Sequence, residues 1–168
     1  MKHSRKIAML LLTLFICAIC MNGCAKEPQL LSCPFTEITW NNTFEEIKAA
    51  SGELIETRDS IYDGTSYVFS KEYKGYDGSV YYIYDEKEKL VSMAWGYSTE
   101  SSEQLEALYD EINADIIDEY GECDYAPKAG GANVWYTDGG NIVLYMLDTS
   151  EYKALQLNYV HPDVAEKE

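Results

Sequence analysis

Polar and apolar positions change rhythm several times along this chain. "FTEITW", Phe35 to Trp40, alternates with a period of two, as a half-buried strand does. "NNTFEEIKAASGE" then switches to helical spacing. Phe44, Ile47 and Ala50 make a short apolar face, Thr43 and Glu46 fit a capping box, and Gly52 is a stop. Alternation returns in "LIETR", "SYVFSKEY", "SVYYIYD" and "KLVSMAWGY". Turn residues separate these segments at Asp63-Gly64, Asp77-Gly78 and Asp85 to Lys89. From Ser101 to Tyr120 the helical period is strongest: Leu105, Leu108, Tyr109, Ile112, Ile116 and Tyr120 recur, Ser101 and Gln104 fit a capping box, and Gly121 closes the run. Three more strands are predicted in "NVWYT", "NIVLYMLD" and "YKALQLNYV", the first pair joined through Asp138-Gly139-Gly140. The polar end "HPDVAEKE" is expected to fray.

These elements predict an α+β fold, an antiparallel sheet with two main helices packed on one face. The halves echo each other: Trp40-Asn41-Asn42-Thr43 leads into the first helix and Trp95-Gly96-Tyr97-Ser98 approaches the second, and the helices end at Gly52-Glu53 and Gly121-Glu122. Residues 35–162 therefore read either as one domain or as halves 35–97 and 98–162, a degenerate duplication of a helix-plus-meander unit.

Ahead of this body stands a leader. Lys2, Arg5 and Lys6 precede the uncharged run Ile7 to Met21, the layout of a secretory signal peptide. That run is short for a bilayer core, which takes about 20 apolar residues in helical form. Cys17 and Cys20 sit among Phe15, Ile16, Ala18 and Ile19, without the polar partners that orient metal ligands. Met21-Asn22-Gly23-Cys24 resembles the lipobox of bacterial lipoproteins, with Asn22 its loosest position. The resemblance implies removal of residues 1–23 and a diacylglyceryl group on the Cys24 thiol. Two acyl chains suffice for stable anchoring. A lipidated tether is expected at 24–34, a polar tail at 163–168, and the mature protein at the cell membrane on its extracytoplasmic face.

Charge narrows the partners. The 168-residue chain carries 29 acidic side chains against 13 basic ones, three of which leave with the leader. Nucleic acid, bound through clustered Lys and Arg, is excluded as a partner. Cations and basic proteins suit the field of such a body, and high acidity also serves solubility alone. With Cys24 acylated, Cys33 and Cys123 remain, and outside the cytoplasm they are candidates for a disulfide, the alternative being two buried thiols.

Candidate chemistry is sparse. His161 alone survives removal of the leader, so a histidine-based nucleophilic site or a Cys/His zinc site lacks its parts. Asp63, Asp77 and Asp138 precede glycines, as turns require, without the further ligands of a calcium loop. No glycine-rich phosphate loop joins a strand to a helix. No cofactor or metal is expected, and the chain is read as not an enzyme. A carboxylate pair acting as an envelope hydrolase is the alternative, and a structural part in envelope assembly is a third reading.

Aromatics are the distinctive feature: 15 Tyr and three Trp, clustered on the strands. Tyrosine offers broad contact with a polar tip and is favoured at interfaces. Tyr67, Tyr82, Tyr84, Trp95, Trp135 and Tyr145 are the candidate binding face for a protein, peptide or glycan. The pattern "W..T.EEI.....GE", Tyr-rich hairpins and "L..L...YGE" resembles the fold shared by the β-lactamase inhibitory protein and the small outer-membrane assembly lipoproteins. That resemblance implies helices on one sheet face and an open face that grips other proteins.

Overall fold

The computed structural model describes residues 29–126 and 131–165, so the leader, the lipobox cysteine and the first part of the tether lie outside the described residues. The chain order is α1 (Phe44–Ser51), β1 (Leu54–Asp59), β2 (Asp63–Tyr73), β3 (Tyr76–Asp85), β4 (Leu90–Ser98), α2 (Ser102–Tyr120), β5 (Ala132–Thr137), β6 (Gly140–Asp148) and β7 (Lys153–Val160). All seven strands form one antiparallel sheet in the order β1-β2-β3-β4-β7-β6-β5.

Both helices begin as their caps dictate. The Glu46 backbone N–H donates to the Thr43 hydroxyl while the Thr43 N–H donates to the Glu46 carboxylate at 2.8 Å, the complete box. α2 has half of its predicted box: the Gln104 N–H donates to Ser101 Oγ, but the Gln104 side chain accepts from Thr99 instead.

Strand parity sorts the side chains. Tyr67, Tyr82, Met93, Tyr159, Ile142 and Trp135 share one row across the sheet, and Phe69, Val80, Trp95, Leu157 and Leu144 share the next. Eleven residues in two rows would leave much apolar surface bare. Instead, ten of them form a single buried cluster with Ile47 of α1 and Leu105, Leu108, Ile112 and Ile116 of α2, and Tyr67 packs against it, partly buried.

Four local expectations are corrected. "FTEITW" is not a strand. A turn from Cys33 to Thr36 and side-chain acceptors Thr36 Oγ1 and Asn42 Oδ1 satisfy its backbone, while Phe35, Ile38 and Trp40 fill the core. The expected tether to residue 34 ends earlier, because Leu31 and Cys33 are already buried. The β2–β3 turn lies at Lys74-Gly75, both with positive φ, and Asp77-Gly78 falls inside β3. A side chain on Gly78 would meet the Trp95 ring at 2.7 Å, so the glycine there serves packing rather than turning. The end does not begin to fray at His161, which is buried against Trp40 with ring centroids 5.3 Å apart.

Candidate functional site

The six aromatics singled out from sequence do not share an exposed face. Tyr82, Trp95 and Trp135 are at most 1% exposed, in the middle of the core cluster. Each has a polar anchor there: the Trp95 and Trp135 indole N–H groups donate to the Lys71 and Gly121 carbonyls at 2.9 Å, and the Tyr82 hydroxyl pairs with Thr36 Oγ1 at 2.8 Å. Burying rings this large is strongly favourable, and the core is where the sheet can do it.

Tyr67 and Tyr84 line a cavity of about 600 Å³ beside the start of α1, with Trp40, Phe44 and Lys87. Their faces are occupied by one another. Phe44 stacks on Tyr67 at 4.0 Å, and Tyr67 meets Tyr84 edge-on at 5.7 Å. The buried Tyr84 hydroxyl has no hydrogen-bond partner among the described residues, and burial first, then the neighbouring Tyr67 and Tyr82, pushes its pKa up to about 12.

Tyr145 alone of the six has the other parity. It lies in the row Ser79, Gly96, Gln156, Tyr145, next to the row Val68, Tyr81, Ala94, Asn158, Val143. On this second face a groove of about 520 Å³ runs from Arg58 on β1 to Leu147 on β6. Tyr81, Tyr145 and the exposed Tyr152 wall it, and Ser79, Gly96 and Gln156 lie along it. Its floor is low because small residues build it: a Cβ on Gly96 would come within 3.1 Å of the Tyr81 ring, which leans over that position. The Tyr152 and Ser98 hydroxyls pair at 3.3 Å at one margin. At the β1 end Arg58 and Glu56 pair at 2.5 Å, and that hydrogen bond raises the guanidinium and lowers the carboxylate from their ordinary values.

Tyr81, Tyr152, Arg58 and Gln156 were missed from sequence. The available signal was in "SVYYIYD", where Tyr81 and Tyr82 have opposite parity; Tyr81 sits between the smaller Val68 and Ala94, and Tyr82 between the larger Tyr67 and Met93.

Cys33 and Cys123 are free thiols, so the candidate disulfide is not made. Cys33 is buried with its sulfur 3.9 Å from Met93 Sδ, and burial holds its thiol far above the usual range. Cys123 lies just past the end of α2 and is only partly buried. Among the described residues no group of three or more His, Cys, Asp or Glu side chains could hold a metal ion, and no helix is long and apolar enough to cross a membrane. His161 Nδ1 accepts the Asp163 N–H at 3.2 Å, a bond within the turn that follows β7 and one that requires an unprotonated ring nitrogen. No known family model, no characterised protein and no solved structure matches this chain.

Proposed function

We propose that this chain is a membrane-anchored extracytoplasmic lipoprotein whose folded part binds a protein, peptide or glycan and performs no chemistry. In this reading the two helices cover one sheet face and leave the other open, and the binding surface is the tyrosine-walled groove on that open face. The observation that carries it is the groove itself: three tyrosines stand over a floor of small and polar residues, on the face opposite the core rows. Tyrosine rings in such a setting give a large, stiff contact area with hydroxyls left to hydrogen-bond.

Two further features support parts of the proposal. The three strands on either side of the β4–β7 junction mirror each other, β2-β3-β4 against β5-β6-β7, with β1 an extra edge strand between α1 and β2. That symmetry fits a degenerate duplication and the resemblance to the β-lactamase inhibitory protein and outer-membrane assembly lipoprotein fold. The order of basic start, apolar run and Gly23-Cys24 supports the anchor.

The binding face is tested by recovering partners from an envelope extract with the wild-type chain and with Tyr81→Ala/Tyr145→Ala. A partner lost with the double variant is the expected result; equal recovery of every partner overturns the assignment of the face. The anchor is tested by mass spectrometry and fractionation of Cys24→Ala. It should lack the diacylglyceryl mass and leave the membrane fraction, and an unchanged product overturns the lipobox.

A further inference from the structure

The sheet has two edges, β1 and β5, and they are treated differently. On β5 the outer groups are occupied: the Asp124 and Tyr125 N–H groups donate to the Val134 carbonyl, the Val134 N–H donates to the Tyr125 carbonyl at 2.9 Å, and the Tyr136 N–H donates to the Asp124 carboxylate at 2.7 Å. No described residue covers β1 in this way, and Ile55 to Asp59 are all exposed. Among the described residues four large apolar side chains are exposed and two belong here, Ile55 at the register shift between Leu54 and Glu56 and Ile61 just after β1, at 56% and 87% exposure. An uncovered edge is a template for another strand.

We propose that β1 pairs antiparallel with β1 of a second copy, about a twofold axis through Thr57, making one continuous sheet from two chains. Charge selects both the occupant and the register. Twofold pairing perpendicular to the sheet must centre on a residue. Centring on Glu56 sets Glu56 against Glu56 of the second copy, and centring on Arg58 sets guanidinium against guanidinium; like charges directly opposite are destabilising. Centring on Thr57 sets Glu56 opposite Arg58 twice, once on each side of the axis. The strand "LIETRD" is thus complementary to itself in one register. The intrachain Glu56–Arg58 pair shows that these side chains already lie on one face and reach each other. Arg58 also lines the end of the tyrosine groove, so the pairing would bring the grooves of two copies end to end across the new ladder. This inference holds whether or not that groove is the binding surface.

Cysteine cross-linking of the full chain in membranes tests the register, in a Cys123→Ser background with the parent chain setting the baseline. Directly opposed Cβ atoms are about 4.5–5.5 Å apart, close to disulfide reach, and positions offset by two residues are farther. Thr57→Cys alone is expected to yield about tenfold more oxidised dimer than Glu56→Cys or Arg58→Cys alone, whereas a mixture of the last two should cross-link to each other. Arg58→Glu should abolish the Thr57→Cys dimer, and adding Glu56→Arg should restore it. Absence of a Thr57→Cys dimer, equal yields at all three positions, or capture of a different protein overturns the proposal.

Discussion

Polar atoms on the core's large rings show how closely single residues are accommodated. All three indoles donate to a backbone carbonyl, Trp40 to Leu31, Trp95 to Lys71 and Trp135 to Gly121, and Tyr82 meets Thr36. Tyr84 is the exception, with a buried hydroxyl and no partner among the described residues. Leaving a polar group unpaired costs about 1–3 kcal/mol, so Tyr84→Phe should leave stability unchanged or raise it by about 1 kcal/mol. Tyr82→Phe should lower it by about 1 kcal/mol. Urea unfolding midpoints of the two variants separate these outcomes. His161 supplies a pH dependence. Burial, then the Lys89 ammonium, holds its imidazole below the ordinary value of 6.5, while Asp163 opposes the shift. Above 6.5 the ring is neutral in both folded and unfolded chains. As pH falls from there, the unfolded chain takes up its proton first, so stability is lost until the lower folded value is reached. Unfolding midpoints should therefore fall as pH drops below about 6.5, less steeply in His161→Gln.

At the scale of elements, the best example of tertiary cooperation is the β2–β3 hairpin. Its turn residue Lys74 reaches α2, donating to Glu111 at 2.7 Å and pairing with Asp115 at 2.6 Å, two carboxylates one helical turn apart. Burial alone would lower this ammonium, but hydrogen bonds to Asp115 and Glu111 hold it well above its usual range. Lys74→Met removes both bonds and should cost about 1 kcal/mol, the upper end for pairs this open to solvent, with the loss shrinking in high salt. The helices were legible from sequence because period and caps agree locally, as Thr43 with Glu46 shows. The strands were legible too, since Val80, Tyr82 and Tyr84 alternate cleanly against Tyr81 and Ile83. Which set is covered was not legible. Parity divides a strand into two faces but does not say where Leu105 or Ile47 will land, and the buried cluster took Tyr82, Trp95 and Trp135. The turn at Lys74-Gly75 was lost to a stronger signal, Asp77-Gly78, whose glycine answers to the Trp95 ring on the neighbouring strand β4.

Across the whole molecule the β4–β7 ladder, running from Ser92–Val160 to Ser98–Ala154, joins the two halves, and one cluster spans both. The halves should therefore unfold together. Ile47→Ala in α1 and Ile116→Ala in α2 should each lower one common transition, by about 3 kcal/mol for a buried aliphatic truncated to Ala. Coincident far-UV circular dichroism and tryptophan fluorescence curves are the check, and two separated transitions would contradict it. That joining was only half visible in the sequence, where the repeated Trp and Gly-Glu landmarks suggested two units but gave no strand order.

The early burial of Leu31 has a spatial corollary. Its N–H donates to the Gly139 carbonyl, pinning the incoming chain at the β5–β6 turn. Seven peptide steps from Cys24 to Leu31 cover about 25 Å at full stretch. Six inter-strand spacings of about 4.8 Å make the sheet about 29 Å across, so with Cys24 held in a bilayer as proposed the leash is shorter than the sheet is wide. Such a molecule would stand on the membrane by its β5–β6 corner rather than drift above it, and the lipid would set its heading as well as its address.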